Sequence, residues 1–402
     1  MDIYPQTSIE NSDTISFIIP ALPKSMLEKV EIVTELRVVT ATGENLPVNT
    51  NVSTVPHLAA ALWRNVTVSI GSQQLLQSFD NSYTMFKFFD TLLHMSRGSA
   101  TVLAKREGMV LDTADTKPNT ENLVFYPDAG AALVNKGGKQ RAERIKESRK
   151  VCLVSDFNIS ILKHGQLLPP NLEIKINLTK NDTDFILLAG ADDTNKIVLD
   201  KVMLTCRYQT PRDMIINLNE ERLAKENSIY RADKNVLSFR PITAGVREMS
   251  FDNVFNGVLP YFFIIGVQSR SALGRNKTKN PFSLHKIQRV QLYIDGQQHF
   301  PNDVERTTHD DTFMFSSFLS ETGMINGGDT MSTINYDAYP VIAFDLTPDK
   351  SQNQHGLSLQ KTGSARLTLG FEEDTPADNV LMIMAYYDQV IEISKDREVT
   401  IV

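Results

Sequence analysis

Short apolar runs, many of them alternating apolar and polar positions, recur along the whole chain. Alternation with a period of two places the apolar side chains on one face of a β-strand, so each run predicts a strand. Glycine, proline, asparagine or aspartate separates most of the runs, as the turns of a β-sandwich or β-barrel require. The predicted strands are residues 15–19, 30–39, 66–70, 151–162, 172–178, 184–188 and 196–208, then 236–239, 261–267, 290–294, 341–346, 365–371 and 379–387.

Two segments have the pattern of a helix. Residues 83–95 follow a capping Asn81 or Ser82 and carry one apolar face, and residues 211–226 begin with a proline, which the first turn of a helix favours. The apolar positions of the two segments are Phe86, Phe89, Leu92 and Leu93, then Met214, Ile215, Leu218 and Leu223.

The chain repeats itself. Val66–Gln74 aligns without a gap on Val290–Gln298, each copy being an alternating strand, a glycine-bearing turn and a Gln-Gln pair. Four matches in the same order favour a duplicated β-domain over chance similarity between unrelated strands. The other three pair Ser16-Phe17 with Ser238-Phe239, the aromatic stretch Ser82–Met95 with Thr308–Leu319, and the strand–acidic turn–strand of residues 172–188 with residues 365–384.

The duplication predicts a domain organisation. We expect the helix between the copies to pack one barrel on the other, and the two polar ends either to order on assembly or to fray. The predicted segments are an N-terminal arm (1–14), a first barrel (15–210) with a loop insertion at about 96–150, a connecting helix and linker (211–230), a second barrel (231–392) and a C-terminal tail (393–402).

Composition narrows the class of protein. The 402 residues carry a net charge of −7, which argues against a protein that coats nucleic acid. The polar start lacks the layout of a signal peptide, and no apolar run approaches the roughly 20 residues of a membrane span. Two cysteines, Cys152 and Cys206, are too few for a disulfide framework and are expected to be free, buried thiols. Residues 136–150 form a basic run of net +5, expected to be a solvated loop or helix face unless it contacts nucleic acid, a membrane or an acidic partner.

No catalytic motif emerges. A tandem β-barrel enzyme of the cupin type needs two histidines on alternate residues of one strand, and no two histidines here are separated by a single residue. The sequence also lacks a nucleophile elbow and a phosphate loop. His309-Asp310-Asp311 is interpreted as a helix cap, and the carboxylates of Asp192-Asp193 and Glu372–Asp374 as solvated turns. We therefore expect no enzyme activity and assign no catalytic, cofactor-binding or metal-binding residue. The seven histidines are His57, His94, His164, His285, His299, His309 and His355.

Two segments carry a family resemblance. Leu62-Trp63-Arg64 through Gln73-Gln74, with Asn81-Ser82-Tyr83, is the first. Asn280-Pro281-Phe282 through Tyr293-Ile294-Asp295-Gly296-Gln297-Gln298 is the second. Together they resemble the double jelly-roll major capsid proteins of double-stranded DNA viruses, in particular those of polinton-like and adintovirus elements. The resemblance covers residues 15–390, but the loops at 96–150 and 299–340 match poorly.

The resemblance implies an all-β fold of two tandem eight-stranded jelly-roll barrels with a few short helices. It also implies a structural subunit of the virion, assembled inside the host cell as a homotrimer that forms pseudo-hexagonal capsomers of an icosahedral shell. The implied partners are neighbouring capsomers and penton or minor capsid proteins, with an inner membrane or internal component as a further candidate and no sequence-specific nucleic-acid binding. Two alternatives stay open: an enzyme or carbohydrate-binding protein on the same fold, and a minor or vertex capsid protein, which usually needs only one barrel.

Overall fold

The computed structural model describes residues 1–78, 80–113, 123–163, 167–274, 276–299, 304–306, 311–324, 329–352 and 359–402. Every paired strand in these ranges is antiparallel to its neighbours. The strands of the first half are β1 (Asp2–Ile3), β2 (Thr14–Ile19), β3 (Met26–Val39), β4 (Ser53–Thr54), β5 (Trp63–Ile70), β6 (Gln73–Gln77), β7 (Val151–Asp156), β8 (Ile174–Lys180), β9 (Leu187–Leu188) and β10 (Lys196–Gln209). The strands of the second half are β11 (Ser228–Pro241), β12 (Glu248–Val258), β13 (Phe262–Ser269), β14 (Arg289–Ile294), β15 (Gln297–Gln298), β16 (Val304–Glu305), β17 (Ile342–Asp345), β18 (Thr362–Gly370), β19 (Asn379–Ile393) and β20 (Val399–Ile401).

Short helices connect the strands. They are α1 (Leu58–Ala61), α2 (Ser82–His94), α3 (Ala100–Arg106), α4 (Lys136–Ile145), α5 (Ser160–Lys163), α6 (Thr183–Ile186), α7 (Asp213–Leu223), α8 (Arg270–Leu273), α9 (Thr312–Glu321) and α10 (Met331–Ile334). In the described part of the chain, none of them combines the length and the apolar composition that crossing a membrane requires.

Each half builds the same pair of sheets. The strand orders are β1-β10-β3-β7 and β2-β8-β5-β6 in the first half, and β11-β19-β13-β17 and β12-β18-β14-β15 in the second. Taken in chain order, the eight strands of one half correspond one to one with those of the other. This is the jelly-roll arrangement, in which eight strands form two four-stranded sheets. The predicted double jelly roll is confirmed.

The strongest sequence match is also a match in strand register. Ile70 pairs with Gln73 across the β5–β6 turn, as Ile294 pairs with Gln297 across the β14–β15 turn. In the second turn Asp295 and Gly296 have φ of 51° and 80°, the left-handed backbone that a tight hairpin needs. The repeat therefore aligns structurally equivalent residues here.

Two of the other matches align the wrong strands. Ser16-Phe17 lies in β2, whose counterpart is β12, whereas Ser238-Phe239 lies in β11. Residues 184–188 form parts of α6 and β9, and the true counterpart of β19 is β10. Successive strands of a barrel share the same alternation, so a local pattern cannot tell one from the next.

Two more elements differ from the predictions. The predicted strand 151–162 ends at Asp156 and gives way to α5, because a short apolar run fits a buried helical turn as well as a strand. Strand β12 was not predicted, because a bulge between Phe251 and Phe255, with Asn253 at φ 51°, interrupts its alternation.

Both ends of the chain pack as strands. Strand β1 pairs with β10, Ile3 is buried, and the Met1 ammonium donates to the Cys206 carbonyl at 2.8 Å. At the other end β20 pairs with β19 and Val399 is buried. Neither end segment therefore depends on an assembly partner to form its strand.

The connecting helix is not the element that packs the barrels together. Within α7 only Leu223 is buried, and Met214 and Leu218 are 72% and 53% exposed. That prediction is wrong, because an amphipathic pattern shows that a helix has an apolar face but does not identify what covers it. Helix α2 has the packing role instead: all its residues except the first and the last are buried.

Leu→Ala substitutions test whether α2, and not α7, packs the barrels together. Leu92→Ala in α2 removes a side chain that is 0% exposed, so we expect the free energy of unfolding to fall by about 2–5 kcal/mol. Leu218→Ala in α7 removes an exposed side chain, so the expected change is within about 0.5 kcal/mol. Denaturant titration of both variants measures the difference, and similar losses would contradict these assignments.

Candidate functional site: the contact between the two barrels

An aromatic stack joins α2 to the second barrel. The Phe88 ring lies on the Phe282 ring with centroids 4.1 Å apart and planes 20° apart. Phe86 contacts Tyr386 of β19 at 5.0 Å, and Phe88 also contacts Tyr339 at 5.4 Å. Helix α2 also packs against β5 of its own barrel. Its aromatic side chains therefore bury apolar surface of both halves.

The stack depends on the Asn-Pro-Phe motif of the second half. The Phe282 amide donates to the Asn280 side-chain carbonyl at 3.0 Å, which closes a short turn and presents the ring to α2. The Asn280 amide group donates across the interface to the Asp112 carboxylate at 2.6 Å. The motif that carried the family resemblance is thus the part of the second barrel that docks on the first.

Asp112 is a polar centre of the interface. Its carboxylate accepts from Asn280, from Asn135 at 2.9 Å and from the Arg141 guanidinium, while its backbone amide donates to the Tyr339 hydroxyl. Asp112, Asn135 and Arg141 belong to the insertion at 96–150, and Asn280 and Tyr339 to the second half. This residue therefore ties the insertion to two separate loops of the second barrel.

The basic run 136–150 is partly buried, contrary to prediction. The Arg141 side chain is only 2% exposed and donates to the carbonyls of Thr54 and Val110 as well as to Asp112. Arg144 donates to the carbonyls of Ala104, Lys105 and Cys152, and burial lowers the pKa of its guanidinium. Both arginines hold α4 against the barrel, a role that a charge count cannot distinguish from solvation.

Backbone contacts also cross between the halves. The Ala189 amide donates to the Lys277 carbonyl at 3.0 Å, and the Lys277 ammonium lies 3.5 Å from the Asp184 carboxylate. The Met331 amide donates to the Met95 carbonyl at 3.0 Å. These bonds fix the relative position of loops at several separate places, so the two barrels form one packed unit.

A buried charged cluster lies beneath the insertion. His57 Nε2 is 3.3 Å, and Lys87 Nζ 3.7 Å, from Glu107 Oε2, and all three side chains are at most 5% exposed. Burial alone would raise the pKa of the Glu107 carboxyl, but the contact with His57 and the charges of Lys87 and Arg106 outweigh it and lower the pKa to about 2. Lys87 also donates to the Asp156 carbonyl at 2.8 Å. The cluster keeps Glu107 ionised and connects α2 to the start of the insertion.

A cavity of about 230 Å³ lies between α3 and α4 and is lined by Leu58, Val110, Ile145, the buried Arg141 and the half-buried Arg144. It is smaller than typical small-molecule sites, and both guanidinium groups already donate to backbone carbonyls. We interpret the cavity as a packing defect between the two helices of the insertion.

The histidines lie apart. His57 is in the charged cluster, His94 lies 3.1 Å from the Asp90 carboxylate, His285 donates its backbone amide to Val267, and His299 is half-buried. His164, His309 and His355 fall outside the described residues, and so does most of the predicted cap at His309–Asp311. Among the residues that the structure describes, no three His, Cys, Asp or Glu side chains are placed to hold a metal ion. The assignment of no site residue stays a prediction.

The acidic turns and the two cysteines are the remaining groups that the sequence singled out. Residues 192–193 and 372–374 lie in connections between strands, as expected for turn carboxylates. Both cysteines are free; Cys206 is buried, and burial raises the pKa of its thiol to about 12. Cys152 is exposed on β7, so the prediction of a buried thiol is wrong for that residue.

Comparison with known proteins adds a likeness of fold. No protein-family model matches the sequence, and no curated protein matches it significantly. The capsid of the virus PBCV-1 superimposes with a TM-score of 0.62 at 11% identity, over 100% of this chain and 95% of that one. The Faustovirus major capsid protein gives 0.59 at 9% identity, with 98% and 90% coverage. The mavirus major capsid protein gives 0.54 at 11% identity, with 100% and 89% coverage. These similarities cover both barrels and their connections, and they agree with the double jelly roll.

The ion pair at Asp112 should be sensitive to loss of its charge. Asp112→Asn leaves the buried Arg141 guanidinium without a charged partner, so we expect a loss of about 3–5 kcal/mol in the free energy of unfolding. The control is Asp213→Asn, which removes the exposed Lys24–Asp213 pair at 3.0 Å and should cost at most about 1 kcal/mol. Equal losses in denaturant titrations would show that Asp112 has no special role.

Glu107 should make stability depend on acid pH. Its pKa is lower in the folded protein, so its stabilising contribution is complete above the unfolded pKa of about 4.3 and disappears as the pH falls towards 2. We expect the difference in unfolding free energy between wild type and Glu107→Gln to be constant from neutral pH to about pH 5 and to shrink below that. Denaturant titrations of both proteins across this range measure it, and a difference that grows in acid would contradict the assignment.

Proposed function

We propose that this chain is a major capsid protein, a structural subunit of an icosahedral virion that assembles as a homotrimer. The observation that carries the proposal is the fusion of two jelly rolls into one packed unit by α2 and the Asp112 contacts, in a fold similar to capsid proteins over at least 98% of this chain. Six similar barrels in a trimer make a pseudo-hexagonal block, a shape that tiles a shell.

The chemistry of the described residues agrees with a structural role. Polar groups at the barrel contact are used in hydrogen bonds and ion pairs that fix geometry, and the net charge of −7 does not favour coating a nucleic acid. We propose neighbouring capsomers and penton or minor capsid proteins as further partners, and the virion as the location. No observation favours an enzyme or carbohydrate-binding protein, and the second barrel disfavours a minor or vertex capsid protein.

The proposal predicts a stable oligomer of defined size. Size-exclusion chromatography with light scattering should give a mass three times the 45.1 kDa of the chain. Electron microscopy of the same sample should show pseudo-hexagonal particles with two barrels per chain. A protein that stays monomeric at high concentration in every buffer would overturn the proposal.

A further inference from the structure

Helices α2 and α9 lie in corresponding connections of the two barrels but differ in burial, and α2 packs on β5 whereas α9 packs on β17. Each follows the fifth strand of its jelly roll and precedes the sixth, β6 and β7 for α2 and β15 and β17 for α9. Helix α2 lies between the two barrels and is almost completely buried, whereas only Met314, Phe318 and Glu321 of α9 are buried. Phe313 of α9 is 50% exposed. Within the described residues no further barrel lies against α9 to cover it.

The exposed face of α9 is held in place by its inner face. Phe318 and Phe315 contact the Tyr336 ring at 5.2 and 5.0 Å. The Glu321 carboxylate accepts from the Asp345 amide of β17 at 2.8 Å. Phe313 is therefore presented on a helix anchored to its barrel, and an exposed aromatic ring on a fixed element is typical of a contact surface.

Within the chain, α2 packs on one particular sheet of the second barrel. Its partner Tyr386 lies on β19 and is the register partner of Phe262 on β13, in the sheet β11-β19-β13-β17. The corresponding sheet of the first barrel is β1-β10-β3-β7, and its outer face is the surface that an equivalent helix would meet.

That outer face carries a short apolar row. Met203, Val33 and Val154 are register partners across β10, β3 and β7, and each is half-buried. Their chain neighbours, such as Ile32 and Leu204, point into the core. The row is thus an outward apolar strip at the centre of a sheet.

Several charges beside this row form ion pairs. A charge that already has a partner can be covered by another protein at a smaller cost than an unpaired charge. The pairs are Lys29–Glu31 at 3.0 Å, Lys29–Asp156 at 3.1 Å, Arg37–Asp200 at 3.2 Å and Lys150–Glu35 at 3.6 Å. The pairs lower the cost of covering the row, and Lys201, two residues from Met203 on β10, lies beside it outside these pairs.

We propose that a second copy of this chain covers α9, with the Met203–Val33–Val154 row of its first barrel packed on Phe313. This contact reproduces between chains the packing that α2 makes within the chain. It joins two different surfaces head to tail, and such a contact closes a ring of three when each step rotates the chain by a third of a turn. The inference rests on the proposed capsid function and names the surfaces that meet in the trimer.

The first test places a charge in the proposed contact. Phe313→Glu should raise the concentration at which the trimer dissociates at least tenfold, measured by light scattering over a dilution series, because a carboxylate would be buried without a partner. Its circular dichroism and melting temperature as a monomer should match those of the wild type, since Phe313 is half exposed in the single chain. The matched control is Met214→Glu on α7, which should leave the trimer unchanged.

The outcomes separate the two proposals. A trimeric wild type together with an equally stable Phe313→Glu trimer would overturn the inference and leave the proposed function standing. A monomeric wild type would overturn the proposed function and the inference with it. Dissociation of the Phe313→Glu trimer with an intact Met214→Glu trimer supports the inference.

A second test does not depend on disrupting the trimer. Cys152 is exposed on β7, two residues from Val154 and on the same face of the sheet. In Phe313→Cys, a short bismaleimide should link chains into covalent dimers and trimers on a denaturing gel. Adding Cys152→Ser should abolish the product, and Met214→Cys in the wild-type background should not form it. A trimer that gives no cross-link would show that another surface or another protein covers α9, and would overturn the inference.

Discussion

The structure depends on one helix that cannot be exposed to water. Helix α2 carries aromatic side chains around most of its circumference, and Phe86 and Phe88 are buried against the second barrel while the helix also packs on β5 of the first. Separating the barrels would expose these rings, so burial of α2 favours the fused state over two independent barrels. The apolar contact supplies the attraction, but it does not by itself specify orientation.

Orientation comes from the polar groups around the stack. Asp112 accepts from Asn280 of the second half and from Arg141 and Asn135 of the insertion, so a rotation of one barrel would leave buried polar groups without partners. A buried ion pair is weak evidence for stability, because desolvation offsets much of the attraction. Its contribution here is geometric: the described part of the insertion, with its helices and the buried Arg141, holds the two barrels in one relative orientation.

The sequence predicted the strands well where each lay alone between turns, and the β5–β6 and β14–β15 match was correct to the residue. Predictions from residue patterns were wrong where burial depended on which other segment packs against the residue. Met214 and Leu218 have the spacing of a buried face but lie in solvent, and Arg141 looks solvated in a basic run but is buried. The Asn280–Phe282 motif could be quoted for its family likeness, but its contact with Phe88 depends on a loop brought close by the fold.

Duplication alone would produce two equivalent barrels, yet the two are not equivalent in this chain. Helix α2 of the first barrel is buried in the contact between the barrels, whereas Phe313 on the corresponding helix α9 is exposed. Conversely, strand β13 is buried on both faces, whereas the corresponding strand β3 keeps an outer face with charged groups around an apolar row. One helix and one strand are thus covered within the chain, whereas the helix α9 and the outer face of the sheet containing β3 remain exposed. Helix α9 and the outer sheet face are different surfaces on opposite halves of the chain. Each copy can therefore contact one neighbour through α9 and another through the sheet, as head-to-tail assembly requires.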